Sequence, residues 1–163
     1  MQETTTPEPG GTTLVGPRFL GLDLPGRTRL PSVWRWILGT IVAIALSLAA
    51  CAGLVAVAVR LFPSTAGYGH FTFGDYSKLT IIGVFAACVG WPFVVWITSR
   101  ARWLYLWLGI VATVVSLAPD LWLLHLGQPA TGVATLAVMH VALGVITYGA
   151  MVLIAPQRAG RSA

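Results

Sequence analysis

The chain has 163 residues, ten of them Lys or Arg and five Asp or Glu, so 9% are charged while 56% are hydrophobic. Soluble domains carry about 25% charged residues, and a chain of 17.3 kDa with mean hydropathy +0.81 cannot hide so much apolar surface from water. That excludes a soluble globule, a disordered chain and a disulfide scaffold, and points to the lipid bilayer as solvent. The net charge of +5 does not indicate nucleic acid, because the basic residues sit on several short flanks instead of forming a groove with aromatics between them.

Residues 1–33 read as a disordered tail. They hold five of the ten prolines, at Pro7, Pro9, Pro17, Pro25 and Pro31, and too little periodic apolar surface to offset their ordering entropy. The mildly apolar stretch from Phe19 to Leu30, with Arg18, Arg27 and Arg29, is suited to rest on a membrane surface. Residues 34–156 form the membrane domain and 157–163 a second tail.

Four apolar runs make up that domain: Ile37 to Val59, Leu79 to Ser99, Trp103 to Leu124 and Ala130 to Ala155. A spanning helix needs about 20 apolar residues, and runs this long satisfy their backbone in lipid as helices, not barrel strands. The expectation is an all-α membrane protein with four transmembrane helices, at about residues 36–60, 79–99, 102–124 and 130–155, in a compact up-down bundle. Arg18, Arg27, Arg29, Arg35, Arg100, Arg102, Arg158 and Arg161 flank one side, Arg60 and Lys78 the other. By the positive-inside rule both termini are cytoplasmic and the protein is a multi-pass plasma-membrane protein. Trp34, Trp36, Trp96, Trp103 and Trp107 then mark the inner aromatic belt, and Phe62, Tyr68, Phe71, Phe73, Tyr76 and Trp122 the outer one. The connection from Leu61 to Lys78, with its Gly67 to Tyr76 stretch of glycines and aromatics, reads as an interfacial loop anchored by its rings.

Leu48-Ala49-Ala50-Cys51 matches a lipoprotein processing site, but the apolar run continues to Val59 and its leader is too long for a signal peptide, so helix 1 is expected to be retained. Ala45, Ala49 and Gly53 in helix 1, and Gly83 with Ala87 and Ala86 with Gly90 in helix 2, have the small-residue spacing that allows close packing in lipid. Cys51 and Cys88, counted from Arg60 and Lys78, fall at similar depth and could face each other, although buried thiols are usually inert fillers.

Three ionisable or polar positions stand out. His140 is the one ionisable group deep in a span, and such a residue needs a partner. The helix 3–4 hairpin turns near Gly127-Gln128-Pro129, so residues whose numbers sum to about 256 lie level across it. Ser116 and His140 meet that sum and are the candidate intramembrane polar pair, worth about 1 kcal/mol as a packing device. Asp120, after Pro119, is a candidate outer-face acid, read first as the cap of a short helix from Leu121 to Leu126.

Enzyme templates find no match. There is no HExxH, CxxC, GxSxG elbow, Walker loop or dinucleotide fingerprint, so the chain is read as a non-enzyme without a cofactor. The Ser116-Leu117-Ala118-Pro119 segment near the end of helix 3, and Met139-His140 inside a small-residue-rich helix 4, resemble a family of short actinobacterial four-helix membrane proteins over roughly residues 35–155. The resemblance implies a fold and no activity. The leading functional expectation is contact with membrane partners, meaning lipid, other membrane proteins or a second copy of the chain, and no nucleic acid. The alternative is a small-solute or proton-handling protein using His140 and Asp120.

Overall fold

The computed structural model describes residues 29–158 and the backbone at 18–19 and 22–23. Four helices dominate: α1 Val33–Leu61, α2 Phe73–Ile97, α3 Ala101–His125 and α4 Ala130–Ile154. Each is long and apolar enough to cross a membrane. At 1.5 Å per residue, 25 residues span about 37 Å, more than the hydrocarbon core of about 30 Å. Short strands β1 (Arg18–Phe19) and β2 (Leu22–Asp23) pair antiparallel within the expected tail, and the rest of residues 1–28 lies outside the described residues.

The helix limits differ from the charge-free runs in an instructive way. α2 starts at Phe73, six residues before the expected 79, and takes in Asp75 and Lys78. Asp75 lies in its first turn, where the exposed N–H groups favour an acid. The loop is accordingly shorter, and two 3-10 turns, at Pro63–Thr65 and Gly69–Phe71, lead into α2. α3 runs through Pro119 to His125, so Asp120 caps no separate helix. It ends on Gly127 at φ +78°, with Gln128 N–H bonded to the Leu123 carbonyl and Gly127 N–H to that of Leu124. This is the Schellman closure that favours glycine.

One end of the bundle is tightly tied; we refer to it as the terminal end. There Arg35 Nε donates to the Ile154 carbonyl at 2.7 Å, Gln157 Nε2 to that of Thr98 at 3.1 Å, and Trp91 Nε1 to that of Ala155 at 2.7 Å. Arg29 and Arg158 exchange backbone hydrogen bonds. The buried core of Ala43, Cys88, Trp91, Val95, Tyr105 and Met151, with their neighbours, lies in this half. The opposite, loop end contains residues 62–72 and the α3–α4 turn.

Pro92 lies inside α2. Lacking an N–H, it leaves the Cys88 carbonyl without its helical donor. The Trp36 indole of α1 supplies one, Nε1 to the Cys88 carbonyl at 2.8 Å. Trp36 therefore points inward instead of joining the belt, whereas Trp34, Trp96, Trp103 and Trp107 are exposed. At the other end Phe71 is buried and Tyr68 meets it edge-on at 5.1 Å, so these two rings also leave the expected belt.

The packing stripe of α1 is Gly39, Ala43, Ser47 and Cys51, all buried, with Gly39 against Met151 and the Ala150 carbonyl. Ala45, Ala49 and Gly53 are outside this buried set. Two residues on a helix turn the face through about 200°, so both stripes have the right spacing but only one faces α4. In α2 the buried face is Val84, Cys88, Trp91 and Val95, while Gly83 and Gly90 meet nothing within 4 Å.

Candidate functional site

α4 carries His140 and α3 carries Asp120, and the two meet: His140 Nδ1 lies 2.8 Å from Asp120 Oδ2. When the carboxylate is ionised it only accepts; Nδ1 then donates, and Nε2 is left as the basic nitrogen. The Asp120 side chain is 7% exposed and that of His140 33%, so the acid sits behind the imidazole. The expected bond to Ser116 is not made. Ser116 Oγ donates to the Thr113 carbonyl in its own helix at 2.7 Å, as serine in membrane helices often does. Asp120 stands one turn further along the same face of α3 and offers a charge-assisted acceptor. Close approach of α3 and α4 is visible at Gly144, where an added Cβ would lie 2.7 Å from Thr113 Oγ1.

Both residues line a cavity of about 1230 Å3 between α2, α3 and α4, above the roughly 300–1,000 Å3 usual for small-molecule pockets. On α2 its wall runs from Asp75 to Val94, roughly 28 Å of helix. The exposed rim residues Leu79, Leu106, Val114 and Val145 show that it is a cleft open to the side. α2 and α3 touch near their short connection, where Tyr105 donates to the Ala87 carbonyl at 3.0 Å and meets Trp91 edge-on, and they part toward the loop end. α3 consequently buries only Ala101, Tyr105 and Asp120.

A second pair was not expected from the sequence. His70 Nδ1 lies 2.8 Å from Asp75 Oδ2, both side chains nearly half exposed, and both line the same cleft. The early start of α2 brings Asp75 under the preceding 3-10 turn. Five residues apart across a helix start, they carry no recognisable spacing signal. Tyr68 lies between the pairs: its ring packs edge-on against His70 at 5.4 Å and covers Gly132 of α4, where a Cβ would come within 3.0 Å. Its hydroxyl is buried without a hydrogen-bond partner. Burial, and then the charge of Asp120, push the phenol pKa up.

The cysteines do not face each other. Cys51 Sγ contacts Thr80 Oγ1 at 3.7 Å, whereas Cys88 lies at the level of Trp36, and both are free and buried. The depth count took Lys78 as the start of helix 2, and the earlier start shifts the register. Among the described residues no group of three or more His, Cys, Asp or Glu is placed to hold a metal ion. Comparison with family models, curated proteins and solved structures gives no match.

Proposed function

We propose that this is a multi-pass plasma-membrane protein, its termini cytoplasmic, in which the His140–Asp120 pair exchanges a proton or a hydrogen bond with a small solute in the cleft. The supporting observation is the 2.8 Å contact of an imidazole with a buried carboxylate at the wall of a cleft within the spans. Ionisable groups inside a membrane are costly and usually mark a proton or solute path. A proton taken up at Nε2 makes an imidazolium beside the carboxylate, and the ion pair offsets its own charge. The Lys/Arg asymmetry supports an orientation with the loop end outward, so that the mouth near His70 and Asp75 meets the outer side. No bond-breaking step is part of this reading, and membership of the actinobacterial four-helix family named above remains part of it as a proposal.

Liposomes holding the purified protein and a pH-sensitive dye test the reading. Under an imposed pH gradient they should acidify faster than empty liposomes, and Asp120→Asn or His140→Leu should return the rate to the empty level. Equal rates for wild-type and empty liposomes would remove it. A second reading, contact with a membrane partner or a second copy, is favoured by the apolar, largely unburied face of α3 with Val111, Val114 and Val115. Crosslinking from cysteines placed on that face in native membranes tests it, and an uncrosslinked band alone would count against it.

A further inference from the structure

The charge of the cleft is unbalanced. Two carboxylates, Asp75 and Asp120, line it together with His70 and His140, and among the described residues no Lys or Arg does. Arg60 and Lys78, the basic residues nearest the loop end in sequence, are outside the lining. With both imidazoles neutral the wall carries two negative charges facing an interior of low dielectric, where Coulomb interactions are strong. The paired histidines disperse that charge without cancelling it.

The rest of the wall suits a cation that is also apolar. Tyr76 and Trp122 stand near the acidic mouth, and Tyr105 and Tyr148, stacked at 6.0 Å, close the terminal end. Aromatic faces attract cations within about 6 Å, more strongly when water is absent. Between the mouth and that floor the lining is aliphatic, with Leu79, Ile110 and Leu143 among it. The size of the cleft, and the lack of a three-ligand cluster among the described residues, do not fit a metal ion. Its side opening lets a membrane-dissolved molecule enter from lipid.

We propose that the α2–α3 cleft binds a lipophilic organic cation, a hydrophobic amine or quaternary ammonium or phosphonium compound, with its charge held at the Asp120 and Asp75 end. This rests on the reading of the cleft as a solute site and names the solute's class; a quaternary cation has no N–H to share and is held by its charge alone.

The test uses the full chain in detergent or nanodiscs and tetraphenylphosphonium as the probe, with uncharged triphenylphosphine oxide for comparison. Saturable binding of the cation at least about tenfold tighter than the neutral compound is expected, and about tenfold weakening for Asp120→Asn. Because Asp120 is buried, Asp75→Asn is the second variant; its pair is half exposed, and it should weaken binding while leaving the elution volume and melting unchanged. Gly83→Leu, projecting into open space in the cleft wall, should block binding by filling it. Equal binding of cation and neutral probe would overturn the proposal and make the cleft an apolar, lipid-filled groove. So would binding unchanged in the Asp75→Asn/Asp120→Asn double variant. Proton flux that depends on the pair, without cation binding, leaves the earlier reading standing and removes this one. Cation binding without proton flux does the reverse.

Discussion

The two ends of this bundle solve the same problem in opposite ways. At the terminal end, side chains from three helices interlock around Trp91, which is fully buried, and its indole closes on the Ala155 carbonyl. At the loop end the helices part, and the His140–Asp120 contact ties α4 to α3 beside the open space. Lipid is as apolar as leucine, so helices gain little from hiding leucine from it and associate through shape and hydrogen bonds. The terminal end combines close packing with several hydrogen bonds, the loop end a few hydrogen bonds around open space. The difference teaches that one membrane bundle can be closely packed at one end and hollow at the other.

The sharpest way to break this contrast is to empty the packed end. Trp91→Ala should cost about 3–5 kcal/mol through the cavity left behind and lower the melting temperature in detergent by about 6–20 °C. Matched leucines at two glycines come next. Gly39→Leu, driven into Met151 and the Ala150 backbone, should cost about 2–3 kcal/mol. Gly83→Leu, with nothing within 4 Å, should fold within about 0.5 kcal/mol of wild type. Similar losses for the two would show that the cleft is not open.

His140→Leu should cost about 1–3 kcal/mol, because it leaves the Asp120 carboxylate buried without its donor. The double variant His140→Leu/Asp120→Leu should recover most of that loss, and melting of the three proteins decides it. The smallest effect concerns Tyr68. Its phenol has a raised pKa in the folded protein, so the native state holds that proton more tightly than the unfolded chain does. The associated stability is complete below pH 10.0, the ordinary value, and is lost as pH rises through the folded pKa. Tyr68→Phe should change neutral-pH melting by no more than about 0.5 kcal/mol and flatten the alkaline decline; an unchanged decline would assign it to other groups.

The four spans were legible because length and hydropathy are enough to recognise a membrane helix. The level of His140 against α3 was legible to within a turn, since rise per residue fixes height. Its partner was not. Counting across a hairpin gives height only to within about a turn, and Ser116 and Asp120 stand one turn apart on the same face. Reading Pro119 as a break also set Asp120 aside as a cap, although a membrane helix tolerates proline. The stripe in α1 was missed in angle instead, because Ala45, Ala49 and Gly53 repeat every four residues just as Gly39, Ala43 and Ser47 do, and spacing alone does not say which face turns inward. The cleft had no sequence signature, since the parting of α2 and α3 depends on how four helices settle together. Its second pair, His70 and Asp75, was hidden by a helix start placed six residues late.

The Pro92 carbonyl device bears on how the chain is built into a membrane. A backbone acceptor left open in hydrocarbon costs several kcal/mol, and Cys88 gains its donor from Trp36 only once α2 lies beside α1. As synthesis delivers α1 first, α2 emerges with an unmet need that its predecessor satisfies. The first hairpin thus holds within itself the donor that its second helix lacks, and meets that need without α3 or α4.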